Sequence, residues 1–132
     1  MGHLIYGNMR IEFEDRVLAH MQIVIVNKLR RAESFAVSWR DANEIGDGRS
    51  AIWVDPSIAL YFKFDGPVAP DIDREWILQL ANSADSSTGL IVTDRDGETV
   101  VGMPAIGIAL SGRRATGANG SAGGATRGRR ER

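Results

Sequence analysis

Apolar and polar residues alternate along several short segments of the chain, which is the pattern of a β-strand with one buried face. In residues 9–14, Met9, Ile11 and Phe13 fall on one face, and residues 3–7 precede them as a partner strand across a tight Gly7-Asn8 turn. Similar alternation predicts three further strands, at residues 34–40, 50–54 and 58–64.

Two segments instead repeat apolar residues at helical spacing. The first predicted helix runs from Asp15 to about Arg31, with Asp15 as its cap. The second follows Pro70, with Asp71 or Asp73 as its cap. Its apolar stripe consists of Ile72, Trp76, Ile77, Leu80 and Ala81.

Asp-Gly within residues 94–98 predicts a hairpin between two β-rich runs, and residues 103–110 are either a terminal strand or a loosely attached segment. The resulting order is strand, strand, helix, three strands, helix, hairpin. Short connections favour antiparallel pairing. We therefore predict one α+β domain over residues 1–110, in which two helices cover one face of a mostly antiparallel sheet of about five to seven strands.

Charge divides the chain into two parts. Residues 1–110 hold 10 Lys/Arg and 16 Asp/Glu, a net charge of −6, whereas residues 111–132 hold 6 Arg and 1 Glu, a net charge of +5. The second part contains mainly Gly, Ala, Ser, Thr and Arg, and it has too few apolar groups to offset the entropy of ordering. Residues 111–132 are therefore predicted to be a disordered basic tail.

Several function classes find no support in the composition. The chain has no Cys, and its two histidines, His3 and His20, are far apart in sequence, so no metal site is predicted. No apolar run approaches membrane-spanning length, and the first residues do not follow a signal-peptide pattern. The predicted location is cytoplasmic. His20 either acts as a general base or sits at the core edge with its nitrogens hydrogen-bonded, the commoner case.

Lys63, one of only two lysines, opens the string Lys63-Phe64-Asp65-Gly66. This string resembles the K-x-D-G motif with which ATP-dependent DNA ligases present the lysine that receives AMP. Asp96-Gly97-Glu98 resembles a second ligase string, whose glutamate contacts the ribose. The resemblance implies adenylation at Lys63 assisted by Glu98, with ATP and Mg²⁺ as cofactors. On turn chemistry alone, both strings also read as ordinary loops.

The ligase pattern is incomplete in this chain. Ligases usually place Glu two residues before the lysine and Arg two residues after the glycine, where this sequence has Tyr61 and Val68. No lysine follows Lys63, although the later ligase motifs include an essential one. The interpretation is a ligase-like module that is not a complete ligase.

A broader resemblance covers roughly residues 2–95. The chain resembles a group of short, largely uncharacterised actinobacterial proteins, many of them catalogued as ATP-dependent DNA ligases. The matching segments are Leu4-Ile5-Tyr6-Gly7, Asp15-Arg16-Val17-Leu18-Ala19-His20, Lys28-Leu29-Arg30-Arg31, Ser38-Trp39-Arg40, Gly46-Asp47-Gly48-Arg49-Ser50, and Pro56-Ser57-Ile58 through Tyr61-Phe62-Lys63.

Basic and aromatic residues on the predicted sheet suggest a binding surface. Trp39 shares the core face with Phe35 and Val37, whereas Trp53 lies opposite Ile52 and Val54 and is predicted to be exposed. On an exposed sheet face, aromatic side chains can stack on the bases of single-stranded nucleic acid and basic side chains can neutralise its phosphates. Such a face can equally form a homodimer or partner interface. The candidate nucleic-acid contacts are Arg40, Arg49, Trp53, Tyr61 and Lys63, with Arg113, Arg114, Arg127, Arg129 and Arg130 of the tail.

Overall fold

A computed structural model of the chain describes residues 1–44, 46 and 48–104. Within them the chain forms seven strands and two helices, in the predicted order. The strands are β1 (Gly2–Tyr6), β2 (Met9–Phe13), β3 (Phe35–Asp41), β4 (Arg49–Val54), β5 (Leu60–Lys63), β6 (Leu90–Ile91) and β7 (Val101–Pro104), and the helices are α1 (Asp15–Arg30) and α2 (Arg74–Ala84).

All the strands join one sheet, in the order β4-β3-β7-β2-β1-β5, and β6 also pairs with β3. Pairing is antiparallel except along one side of β3, where β6 and β7 both run parallel to it. The predicted two-layer α+β architecture is therefore confirmed. The predicted hairpin is present but short. Around its Thr93–Thr99 bridge, the Val100 N–H donates to the Val92 carbonyl and the Asp94 N–H to the Glu98 carbonyl, and beyond these bonds β6 and β7 pair with β3.

One face of the sheet and the inner sides of the helices form the core. The predicted alternation holds on β2, where Ile11 and Phe13 are fully buried, and on β3, where Trp39 is 2% exposed. Trp39 meets Phe13 edge-to-face at 5.8 Å between ring centroids. These contacts link the middle of the sheet to one core beneath the helices.

The predicted helix caps gave mixed results. Asp73 caps α2 as predicted, because its carboxylate accepts hydrogen bonds from the backbone N–H groups of Glu75 and Trp76. Ile72 precedes that cap and is exposed, so its predicted place in the apolar stripe is wrong. Asp15 is not the cap of α1, since Glu14 occupies that position without a side-chain bond.

His20 occupies a fully buried position between the helices, as its commoner interpretation predicted. Its Nδ1 donates to the carbonyl of Arg16 at 2.7 Å, and its Nε2 accepts from the backbone N–H of Asp73 at 2.9 Å. The ring stacks on Trp76 with 4.0 Å between centroids. Because both nitrogens are engaged, His20 joins α1 to the start of α2 and is not offered to a substrate.

The boundary of the domain and the character of the tail stay predictions. Residues 105–132 lie outside the described residues, and with them the predicted disorder and the five candidate tail arginines.

Candidate functional site

The face of the sheet opposite the helices carries the residues that alternate with the core; we call it the open face. Register fixes its composition, because residues paired across neighbouring strands point to the same side. Its members are Arg49, Ala51 and Trp53 on β4, Ala36, Ser38 and Arg40 on β3, Ile91 on β6, Val101 and Met103 on β7, Arg10 and Glu12 on β2, His3 and Ile5 on β1, and Tyr61 and Lys63 on β5.

Charge on the open face is opposite in sign to that of the domain. Four of its strand residues are cationic, namely Arg10, Arg40, Arg49 and Lys63, and one, Glu12, is anionic. Glu12 is already paired with His3, Oε2 to Nε2, at 3.1 Å. Residues 1–110 together carry a net charge of −6. Acidic groups are therefore concentrated away from this face, which favours an anionic partner.

Arg40 and Arg49 lie directly opposite each other on β3 and β4. The Asp41 N–H donates to the Gly48 carbonyl, so the ladder bonds flank this pair and it is a non-hydrogen-bonded pair with about 4.5 Å between Cα atoms. Like charges at such a position destabilise a sheet. Among the described residues, no carboxylate lies within 4.0 Å of either guanidinium.

A shallow groove of about 380 Å³ runs beside these arginines. We call it the arginine groove; the residues that line it are Ser38, Trp39, Arg40, Gly48, Arg49, Ile91 and Thr99. The Arg40 Nη2 donates to the Thr99 carbonyl at 3.4 Å, a long bond that leaves most of the guanidinium donors unused within the described chain. A neighbouring depression of about 370 Å³ extends the groove past Ala36 and Ala51.

Trp53 stands on the same strand and the same face as Arg49. Its side chain is 62% exposed, and its backbone pairs with Ala36 at the other end of β4. Four residues of extended strand separate Trp53 from Arg49, about 13 Å. The structure therefore brings together three of the predicted contacts, Arg40, Arg49 and Trp53.

Tyr61 and Lys63 lie on the open face but at its other edge. Both are exposed on β5, which is five strand positions from β4, roughly 24 Å across the sheet. They do not join the arginine groove. The separation arises because β1, β2 and β7 are inserted between strands that are closer in sequence.

The turn after Lys63 is held by an acidic side chain. The Asp15 carboxylate accepts the backbone N–H of Gly66 at 2.9 Å and that of Asp65 at 3.3 Å. These bonds, with the Gly66 bond foremost, lower the pKa of Asp15. Gly2 lies underneath, where a Cβ atom would come within 2.7 Å of both the Asp15 carboxylate and the Lys63 carbonyl. The Lys63-Phe64-Asp65-Gly66 string thus has a structural role at the edge of the sheet.

Glu98 lies on a different part of the molecule from Lys63. It closes the loop between β6 and β7, where its backbone N–H donates to the Asp94 carboxylate and its carbonyl accepts the Asp94 N–H. Its side chain is exposed. Lys63 instead ends the edge strand β5, three strand positions from β7.

Sequence reasoning missed Arg10 and the direct opposition of Arg40 and Arg49. Alternation along β2 was sufficient to place the Arg10 side chain on the face of the sheet opposite to that of its neighbour, the core residue Ile11. The pairing of the two arginines requires the register of β3 and β4. Arg49 begins β4, one residue before the strand predicted at residues 50–54.

Comparison with known proteins leaves function open. Neither helix in the described part of the chain has the length and apolar character required to cross a membrane. Comparison with curated proteins and with solved structures found no match. Residues 1–95, most of the chain, match one family. The chain therefore belongs to the family described as Domain of unknown function (DUF7882).

Proposed function

We propose that this domain binds single-stranded nucleic acid weakly through the arginine groove of its open face, as a ligase-like module without complete ligase activity. The observation that carries the proposal is the opposed pair Arg40 and Arg49. Two arginines at directly opposed positions of neighbouring strands weaken the sheet, and no carboxylate of the described residues compensates them. A phosphate between them would remove that repulsion with charge-assisted hydrogen bonds.

The chemistry around the pair supports nucleic acid over other anions. Trp53 offers an exposed indole on the same strand, and base stacking on such a platform does not depend on sequence. The groove is open and continues into the neighbouring depression, which suits a flexible chain. Arg10 and Lys63 extend the positive charge across the face and would attract the ligand at longer range.

Weak binding follows from the small number of cations. For single strands, log K falls with log salt at a slope of about −0.7 for each phosphate neutralised. Two arginines therefore give a slope near −1.4, and all four cations of the open face give about −2.8. Affinity of this kind is seen at low salt and is largely lost at high salt.

The adenylation alternative has less geometric support. Lys63 is exposed at the end of an edge strand, while the backbone of the following turn is bound by Asp15. Incubation with labelled ATP and Mg²⁺ tests it directly. A covalent AMP adduct that disappears in Lys63→Ala would establish adenylation, and its absence in the native protein would exclude it.

The binding proposal is tested by fluorescence anisotropy of a labelled single-stranded oligonucleotide at low salt. Arg40→Ala and Arg49→Ala should each weaken binding, and Trp53→Ala should cost about 1–3 kcal/mol if it stacks a base. Arg74→Ala is the matched control, since Arg74 is an exposed arginine at the start of α2, on the helical side.

Two results would contradict the proposal. One is undetectable binding of the native protein at low salt. The other is an equal loss of affinity in Arg74→Ala and in the two groove variants, which would mean that the protein attracts nucleic acid only through diffuse charge.

A further inference from the structure

We infer that two copies of this chain pair through the outer edge of β4, in an antiparallel register centred on Ala51. The inference concerns the edge of the sheet and does not depend on nucleic-acid binding. It rests on which backbone groups of β4 point away from β3, and on what the side chains of the same residues would meet.

The hydrogen bonds of β3 determine the direction of every backbone group on β4. The Arg40 N–H donates to Val100 and the Ser38 carbonyl accepts from Val92, so these residues bond towards β6 and β7. The alternate residues of β3 therefore bond to β4. Their partners are Ser50, Ile52 and Val54, which leaves Arg49, Ala51 and Trp53 with N–H and C=O groups directed outward.

These outward groups form an unpaired edge. Among the residues that the structure describes, β4 pairs with β3 alone, and no described group bonds to the backbone of Arg49, Ala51 or Trp53. The edge is six residues long and contains no Pro and no Lys. Such an edge is a template for another strand unless it is protected.

One register pairs all of the outward groups. In an antiparallel pair of identical strands, Ala51 opposite Ala51 places Arg49 opposite Trp53 on both sides of the twofold axis. All three residues are then in hydrogen-bonded positions, which gives six inter-chain bonds. A shift by two residues in either direction leaves one outward residue of each chain without a partner, so the register centred on Ala51 is favoured.

Side chains in this register are complementary. The small Ala51 side chains meet at the axis. Arg49 of each chain lies beside Trp53 of the second copy, about 5.5 Å away between Cα atoms, which suits a cation–π contact. The two Arg49 residues are roughly 13 Å apart, beyond the range at which they repel strongly at physiological salt.

The other edge strand of the sheet, β5, carries features that protect it from pairing with another chain. Strand β5 has four residues, ends in Lys63 and is followed by a turn with Pro67. A short strand, a lysine and a proline each discourage edge pairing. Strand β4 is longer and has neither lysine nor proline, and its one charged residue, Arg49, lies beside Trp53 of the second copy in the proposed register. Association through the open faces themselves is disfavoured, since both would be positively charged.

Edge pairing over six residues is a small interface, so the dimer should be weak and concentration-dependent. Edge pairing would produce a continuous sheet across both copies, with the two open faces on the same side of it. Arg49 and Trp53, about 13 Å apart along the strand of one chain, become neighbours across the axis.

Site-specific cross-linking tests the register. Because the chain has no Cys, an introduced cysteine is the only thiol that can react. With a short bifunctional thiol reagent and no nucleic acid, Ala51→Cys should form covalent dimers on the order of tenfold faster than Ala59→Cys, because the axis holds the two thiols together. Ala59 is an equally small, exposed residue beside the other edge. Equal rates for the two variants would overturn the inference.

Sedimentation over a range of protein concentrations provides the second test. Ala51→Pro removes an N–H that the fold does not use, a position where an edge strand tolerates proline. It should shift the association to higher concentrations while the circular dichroism spectrum is retained. A folded Ala51→Pro variant that associates as strongly as the native chain would refute the edge contact, as would a native chain that stays monomeric at every concentration. If Ala51→Pro unfolds, Ala51→Lys gives the same reading by placing like charges at the axis.

Discussion

Replacing Arg49 with glutamate separates two effects of the arginine pair: its effect on the stability of the sheet and its effect on nucleic-acid binding. In the native sheet, Arg49 faces Arg40 at a non-hydrogen-bonded position, so the pair repels. Arg49→Glu converts this repulsion into attraction across the same two strands. Cross-strand charge pairs of this kind contribute roughly 0.2–1 kcal/mol. We therefore expect the free energy of unfolding to rise by about 0.5–1 kcal/mol, and Tm by roughly 2–8 °C.

The assay is urea unfolding at low and at high salt, at protein concentrations too low for edge pairing, combined with binding of a single-stranded oligonucleotide. The gain in stability should shrink at high salt because both groups are exposed. Arg49→Gln is the matched control, since it removes the repulsion without adding attraction and should give part of the gain. Both variants should bind nucleic acid less well than the native chain. A loss of stability in Arg49→Glu at low salt would refute the reasoning, because it would mean that Arg49 makes favourable contacts in the free protein.

Two further predictions concern the core and the acid response. Gly102→Ala should lower stability by about 1–3 kcal/mol in urea unfolding, because the new Cβ would lie 2.5 Å from Cδ1 of the buried Trp39, whereas Gly48→Ala, with 3.7 Å of room, should be nearly neutral. Glu33 has its pKa lowered from 4.5 to about 2, first by the Lys28 ammonium, so its contribution is complete above pH 4.5 and disappears as the pH falls towards 2. The Glu33→Gln variant should therefore lose less free energy of unfolding than the native chain between pH 4.5 and pH 2. The same dependence of unfolding free energy on pH in both proteins would contradict the stabilising role of Glu33.

Local pattern was sufficient for most of the secondary structure. Strict alternation located β2 and β3, and helical spacing located both helices, because each element buries one face. Asp15 was misassigned as a cap since its true partners, the N–H groups of Asp65 and Gly66, are distant in sequence. Gly102 interrupts the apolar run that forms β7. The reason that no side chain fits at this position is the packing of Trp39 against it, which the sequence does not show.

The candidate site was predictable in composition but not in arrangement. Alternation along β4 indicated that Trp53 would be exposed, and this is confirmed. It could not indicate that Tyr61 would lie on the far edge, which depends on the order of the strands in the sheet. Nor could it place Arg40 against Arg49, which depends on a register set across a loop.

We propose that Arg40 and Arg49 hold nucleic-acid phosphates, and the salt dependence of binding measures this most directly. The slope of log K against log salt should be compared between the native full chain and the double variant Arg40→Ala/Arg49→Ala, so that contributions from the rest of the protein cancel. We predict that the double variant has a slope shallower by about 1.4. An unchanged slope would contradict this role of Arg40 and Arg49, because it would show that neither arginine displaces counterions from the bound strand.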